Sequence, residues 1–371
     1  MFRPVIATAL LCALAAGQQT TSAPKTSPSP IPLFEITMSD DQDSSIAFAD
    51  SSPVVSTQCD ADGNPFVKTF GPDGLQILGF TQKGVIAFAT NQMTDIPEAR
   101  ATDFFVANST LYVLVTGIEN ARKQEIIYKD EAGQEKKRLE TTGDERDYIA
   151  RFDRDGSYRG SLKLDFNFHP IQLAALDSGN FVVAGLDQNR VPRVGLLDSS
   201  GQLVKYLQLP KDITDKPKSA EKSFATSGLP ASVDVIAMFA QFHPYNGNML
   251  LVRAGTDTPI YEIRESGEVR TVRVKLPNGL TMDHLIPSSR NWFIDVRRSL
   301  LAEESGTIYE ISPETGKPLR LYRIENKDGL KEALACEAEG TFSGIRHQRG
   351  RLTVIRGTAE PAKQKANSAA H

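Results

Sequence analysis

The chain has 371 residues, of which 40% are hydrophobic and 24% are charged, and its formal net charge at pH 7 is −4. This composition is typical of an ordinary soluble protein, long enough for one large core or two small domains. The small net charge gives no general electrostatic argument for nucleic acid or an anionic membrane, so neither is expected as a partner.

The chain begins with a segment typical of a secretory signal peptide. Arg3 supplies a positive charge, residues 5–16 form an apolar run too short to span a bilayer, and small residues at 15–17 suit cleavage. We predict a signal peptide at 1–17, export to the periplasm or beyond, and no transmembrane segment after its removal. Cys12 leaves lipidation as an alternative, which the bulky Leu11 before it disfavours.

Polar segments flank the predicted globular part of the chain. Residues 18–32 are rich in Ser, Thr, Pro and Gln, and residues 359–371 are likewise polar. Such segments cannot bury enough apolar surface to fold, so we predict a disordered linker at 18–32, a globular domain at 33–358 and a disordered tail at 359–371.

Short alternating or β-branched runs, cut by Gly, Asp, Asn and Ser, favour strands over helices throughout the domain. Six hairpins of one type turn near Gly63, Ser109, Gly179, Gly247, Arg290 and Gly340. A second type of hairpin has its turn glycines at Gly156, Gly201, Gly267 and Gly316. The first type recurs about every 55 residues, and two hairpins per interval make four strands, the unit of a β-propeller blade.

The turn Asp62-Gly63-Asn64, which leads into an apolar strand, resembles the turns of six-bladed β-propellers of the NHL-repeat type, as found in secreted bacterial proteins. This resemblance, together with the six hairpin copies, implies an all-β fold of six four-stranded antiparallel blades. The segment PLFEITM at 32–38 is a spare strand, and we predict that it completes the last blade and closes the ring. The alternative is that it belongs to the first blade.

The charged residues 119–147 interrupt the second unit, and we predict an extended hairpin there with its tip at DEAG. Function often lies on such insertions, although solvated decoration is the commoner outcome.

The motifs that could carry chemistry mostly indicate structure. Asp60, Asp62 and Asn64 match the first ligands of a calcium loop, but Pro65 stands where the loop needs Gly, so a structural turn is favoured. His169 and His243 both lie in Phe-His-Pro triplets, yet the repeat places them on opposite faces. A site shared by His169 and His284 is conceivable. The sequence has no recognisable metal motif, cofactor motif or nucleophile motif, so we expect no cofactor.

In a four-stranded meander, the loops that enter the first strand and those that leave the second strand share one face, the funnel face, where propellers usually bind. Four arginines there could receive a carboxylate, a phosphate or an acidic peptide. With Asp187 beside them, the candidate ligand-binding residues are His169, Arg190, Arg253, Asp257, His284, Arg297 and Arg298.

After removal of the signal peptide, the remaining cysteines are Cys59 and Cys336. They open matching turns of the first and last units, which ring closure makes neighbours. A disulfide would clasp the ring, provided that the Cα atoms lie within about 7 Å. The alternative is two buried free thiols.

We therefore expect an exported propeller that binds an unknown protein, peptide or small anionic ligand through its funnel face. The alternative is a metal-dependent hydrolase or lyase, similar to propeller lactonases, with Asp234, Asp283 and His284 near the central channel. A third reading is a structural envelope protein that docks through the hairpin at 119–147.

Overall fold

The structure is a computed structural model. It describes residues 31–48, 54–71, 74–81, 84–107, 109–129, 133–189, 191–208, 240–253, 259–277, 280–288, 290–297, 307–324, 333–348 and 350–362. The predicted signal peptide, residues 18–30 of the predicted linker and residues 363–371 of the predicted tail lie outside these ranges. In the described part, strands dominate, the one helical turn is a 3₁₀ turn at Thr90–Gln92, and no helix is long and apolar enough to cross a membrane.

Strand β1 (Leu33–Ala47) belongs to an eight-stranded sheet, and the next sixteen described strands form four separate antiparallel sheets of four strands each. Sheet 1 contains β2 (Val54–Cys59), β3 (Pro65–Gly71), β4 (Gly74–Thr81) and β5 (Gly84–Phe88). Sheet 2 contains β6 (Arg100–Ala107), β7 (Thr110–Lys129), β8 (Glu135–Asp153) and β9 (Tyr158–Lys163). Sheet 3 contains β10 (Phe168–Ala175), β11 (Phe181–Asp187), β12 (Pro192–Leu197) and β13 (Leu203–Tyr206). Sheet 4 contains β14 (Ala240–Tyr245), β15 (Asn248–Arg253), β16 (Pro259–Ile263) and β17 (Val269–Arg273).

The eight-stranded sheet consists of two runs of four strands. Half A contains β18 (Thr281–Pro287), β19 (Trp292–Arg297), β20 (Thr307–Ile311) and β21 (Pro318–Ile324). Half B contains β22 (Ala333–Ala338), β23 (Thr341–Gln348), β24 (Arg351–Pro361) and β1. The order across the sheet is β18-β19-β20-β21-β1-β24-β23-β22.

Strand β1 joins the two halves. Most of its length pairs antiparallel with β24, and its first residues, from Leu33 to Ile36, pair in parallel with β21. The predicted closing strand is therefore present and completes the last run, but the parallel pairing merges the last two predicted blades into one sheet. Because Phe34 pairs with Pro361, β24 also extends three residues beyond the predicted domain end at 358.

The first strands of the runs surround a central channel. They contact each other in sequence, and β22 contacts β2, so the series returns to its start. Core packing lies between neighbouring sheets, as Phe104 and Phe105 on β6 show: Phe104 packs in the cluster with sheet 1 and Phe105 in the cluster with sheet 3. The arrangement is a β-propeller of four-stranded antiparallel blades.

The turns lie where the sequence predicted them. Positive φ angles occur at nine of the ten predicted turn residues, the exception being Arg290. Gly63 shows why glycine is needed, because its φ is 73° and a Cβ atom there would lie 2.9 Å from the Cβ of Ala338.

The predicted extended hairpin is present as an arm built from the distal parts of β7 and β8. Its strands pair from Gly117 and Arg146 out to Lys129 and Glu135, with a bulge after Glu119. The tip residues 130–132 lie outside the described ranges. Ile127 and Leu139 are 58% and 73% exposed, so the arm adds little to the core.

We expect removal of the arm to leave the propeller intact. Replacing residues 120–143 with an Asn-Gly turn should change the free energy of unfolding by less than about 1 kcal/mol, because nearly all of the excised side chains that the structure describes are exposed. The measurement is urea denaturation followed by the fluorescence of Trp292, the single tryptophan. Excision of 116–147 removes buried Ile118 as well and should be strongly destabilising; equal effects of the two deletions would contradict the assignment of the arm as separable.

Candidate functional site

A cavity of about 390 Å³ lies at the mouth of the central channel, at the end where the first strands finish. We call it the channel mouth. All six first strands or the turns that follow them contribute, through Gln58, Val106, Ala175, Tyr245, Ser288 and Ala335 among others. A concave site to which several elements bring polar groups is the usual form of a ligand pocket.

His243 forms part of the wall of this cavity. It lies on β14, is only 5% exposed and has its ring centroid 6.0 Å from that of His284 on the neighbouring strand β18. Burial, with a smaller contribution from His284, lowers the pKa of His243 to about 3. The imidazole is therefore neutral near pH 7 and can offer either a hydrogen-bond donor or an acceptor, but no charge.

The structure places the histidines differently from the sequence prediction. His243 and His284 are each the fourth residue of a first strand, so they lie at the same level and touch. His169 lies beside Asp147, and a site shared by His169 and His284 stays a prediction. The prediction placed each histidine by its distance from the turn that follows its strand, and these turns differ in length. The turn between β18 and β19 spans 288–291, whereas the turn between β14 and β15 spans only 246–247.

Carboxylates surround the channel mouth. Its acidic lining residues are Asp60, Asp177, Glu337 and Glu339, and its described lining contains no lysine or arginine. Asp177 and Glu339 are exposed and have no ion pair with any described residue. Glu337 accepts a hydrogen bond from the Gly340 N–H at 2.7 Å. The mouth therefore presents excess negative charge, part of it on side chains that are free to bind.

The carboxylate of Asp60, in contrast, is already hydrogen-bonded within its own turn. Its carboxylate accepts hydrogen bonds from the main-chain N–H groups of Asp62 and Asn64, at 3.0 and 2.8 Å. Arg154, on the outer turn of sheet 2, contacts both Asp60 and Asp62 at 2.6 Å. These contacts match the predicted structural turn, and Arg154 pairs with both of its carboxylates.

A disulfide lies at the edge of the mouth. Cys59 at the end of β2 and Cys336 on β22 are joined with an S–S distance of 2.09 Å and a Cα–Cα distance of 5.7 Å. The first strands β2 and β22 are therefore close enough for the disulfide that was predicted as one of two alternatives. The bond joins residues with a sequence separation of 277.

At the predicted funnel face, the opposite end of the channel, His169 stands at the start of β10. Its Nδ1 lies 3.2 Å from the Asp147 carboxylate at the root of the arm, and this hydrogen bond raises the pKa of His169. Asp187 is paired with Arg193 at 2.9 Å. Arg190, Asp257 and Arg298 lie outside the described residues, as do the side chains of Arg253 and Arg297, so convergence of the four arginines stays a prediction.

Sequence reasoning did not identify Asp177 or Glu339 as site residues. Both are turn residues of the first hairpin type, and all turns of this type lie at one end of the channel. The sequence did contain a signal for these residues, because acidic residues occur in three of the six turns of this type.

In the described part of the chain, no three residues among His, Cys, Asp and Glu come together as metal ligands would. Asp234 and the side chain of Asp283, which the enzyme alternative invoked, lie outside that part.

No protein-family model matches the sequence, and no curated protein matches it significantly. The structure is similar to that of a protein of unknown function from Dyadobacter fermentans, at 10% identity and a TM-score of 0.44 over 88% of this chain and 99% of that one. It is also similar to virginiamycin B lyase from Staphylococcus aureus, at 11% identity and a TM-score of 0.39 over 86% and 99% of the chains. A third similar structure is the β-propeller domain of the trilobed protease from Pyrococcus furiosus, at 11% and 0.35 over 72% and 86%.

At these identities and TM-scores the likenesses concern the general fold. The assignment of a propeller rests on the strand pairing, and the NHL type stays a prediction.

Proposed function

We propose that this chain is an exported six-bladed β-propeller that acts as a binding module, and that its channel mouth receives a cationic group, such as an amine or a basic side chain. The observation that carries the proposal is the cavity of about 390 Å³ whose described lining has four carboxylates and no lysine or arginine. Because Asp177 and Glu339 are exposed and unpaired, they can pair with an incoming cation without first losing a partner.

The six-blade count is supported by the first strands. Sheets 1 to 4 and the two halves each contribute one first strand, and these strands contact each other in a closed series. On this count, halves A and B are blades 5 and 6, joined at one edge by the parallel pairing of β1 with β21.

Export is supported by the signal-like N-terminus and by the disulfide between Cys59 and Cys336, because structural disulfides persist mainly in oxidising compartments. A binding role is preferred to catalysis since the buried His243 is held neutral, with a pKa of about 3, and is poorly matched to acid–base work at neutral pH.

The test is calorimetric titration with the tripeptides Gly-Lys-Gly and Gly-Arg-Gly, with Gly-Glu-Gly as the anionic comparison. We expect the basic peptides to bind and the acidic peptide not to bind. The double variant D177N/E339Q should weaken binding on the order of tenfold, and added salt should weaken it further.

The matched control is E135Q/E265Q, which removes the same charge from exposed carboxylates away from the mouth and should leave the affinity within about twofold. Equal binding by both double variants, or no preference for the basic peptides, would show that the mouth is not the site.

A further inference from the structure

Sheet 4 contains an Asn–Glu–Arg triad that spans three strands and is centred on a buried carboxylate. Glu262 on β16 is 5% exposed, and its carboxylate accepts a hydrogen bond from the Asn248 side-chain amide at 2.8 Å. The Arg270 guanidinium on β17 binds the same carboxylate through Nε at 2.8 Å and Nη2 at 2.6 Å. Nη2 of Arg270 also donates to the main-chain oxygen of Pro313, 3.2 Å away.

Half A repeats this triad in the same register. Strand pairing aligns Met249 with Ile263 in sheet 4 and Trp292 with Ile311 in half A, so Asn291 and Glu310 correspond to Asn248 and Glu262. Arg320 pairs with Glu310 as Arg270 pairs with Glu262. The Asn291 amide donates to Glu310 at 2.5 Å.

The two triads differ in what covers the arginine. Arg270 of sheet 4 is covered by Pro313, which belongs to the turn 312–317 of half A, the run that follows sheet 4. This turn joins β20 and β21, the third and fourth strands of half A. Half B is the run that follows half A, and its third and fourth strands are β24 and β1. These two strands come from opposite ends of the chain, so no turn joins them. Arg270 is 35% exposed and Arg320 is 52% exposed.

Arg320 is correspondingly less engaged. Its Nη1 lies 3.5 Å from Glu310, its side chain interacts with that of Tyr322, and its guanidinium stands over the Phe34 ring at 5.4 Å from the centroid. In half A, the Tyr322 hydroxyl donates a hydrogen bond to Glu310 at 2.7 Å, as Arg270 donates to Glu262 in sheet 4. Among the described residues, Arg320 donates to no main-chain oxygen.

Where the turn is missing, there is a pocket of about 590 Å³, which we call the seam pocket. Its apolar wall consists of Phe34, Phe293, Tyr322 and Phe342. These rings hold each other in place: Phe293 meets Phe342 edge to face at 5.2 Å, and Phe34 stacks on Tyr322 at 5.4 Å. Arg320 and Glu310 lie beside this wall, so the pocket offers a preformed apolar surface next to a guanidinium with spare donors.

We propose that the seam pocket binds a peptide segment of a partner protein, with a main-chain carbonyl accepting from Arg320 and an apolar side chain resting on the aromatic wall. The molecule itself provides the precedent, because the equivalent guanidinium of Arg270 binds the main-chain oxygen of Pro313. A free anion is disfavoured because the three glutamates of the lining, Glu310, Glu337 and Glu339, outnumber its two arginines, Arg290 and Arg320. A neutral carbonyl meets no such repulsion.

The experiment is selection from a phage library of random heptapeptides on the full chain, followed by fluorescence anisotropy with the synthetic, labelled form of the enriched peptide. We expect enrichment of sequences with an apolar or aromatic residue. The variant R320A should bind the selected peptide on the order of tenfold more weakly, and R320K, which keeps the charge but loses the planar fork, should lie between R320A and the original chain.

The matched control is R323A, which removes the same charge from an exposed position on the same strand outside the pocket, and it should bind like the original chain. Melting temperatures of all three variants check that the fold is retained. D177N should also leave this binding unchanged, because Asp177 lines the channel mouth and not the seam pocket. Failure to enrich any sequence, or equal loss in R320A and R323A, would overturn the proposal. Glu337 and Glu339 line both pockets, so the substitutions that separate the two sites are R320A for the seam pocket and D177N for the channel mouth.

Discussion

The double variant C59S/C336S will lose several kcal/mol of stability, up to about 6 kcal/mol in the chain-entropy estimate for so long a loop. The physical reason is that the disulfide joins residues with a sequence separation of 277, so its loss releases a very large set of conformations in the unfolded chain. The measurement is equilibrium denaturation of a chain starting at residue 18, which lacks Cys12, with buried Trp292 as the fluorescent reporter.

The reduced original chain serves as the control for this loss and should unfold at the same denaturant concentration as C59S/C336S. A reducing agent should have no effect on the double variant. The idea fails if the original chain runs equally on reducing and non-reducing gels and two thiols titrate before reduction.

The second large effect concerns the strand that closes the ring. We expect I36D to prevent folding or to cost at least about 3 kcal/mol, because Ile36 is fully buried and a carboxylate there would lie among apolar side chains. Its neighbours in the core include Ile286, Phe293, Ile308 and Tyr322 of half A. The readout is again the midpoint of urea denaturation.

Thr37 supplies the matched control, because it is the next residue on β1 and is exposed. T37D introduces the same side chain on the opposite face of the strand and should shift stability by no more than about 0.5 kcal/mol. If both substitutions were tolerated equally, β1 would not be an obligatory part of the ring.

Local chemistry explains how much of the fold could be predicted. The turn positions and the closing strand follow from rules that act within a few residues: glycine tolerates positive φ, as at Gly63, and an apolar alternating run such as 32–38 forms a strand. The parallel pairing of Leu33 with Leu321 had no such signal, because nothing near either residue specifies a partner so far away.

The candidate sites were harder to predict for the same reason. Asp177 and Glu339 approach one cavity only because the ring gathers their turns at one end. The contact between His243 and His284 depended on turn lengths that the sequence did not make obvious. The triad of Asn291, Glu310 and Arg320 is assembled from a turn and two strands with unequal connections, so no fixed spacing identifies it.

The pairing of β1 has a consequence for biosynthesis. β1 is the first of the described strands to be made, yet its partners β21 and β24 are made after β2 to β20. Until they are made, it is an unpaired segment with open hydrogen-bonding groups, the kind of edge that pairs with other chains. The sheets between can form earlier from local hairpins, whereas the ring stays open until the chain is complete, so the topology itself makes closure the late, concentration-sensitive step of folding.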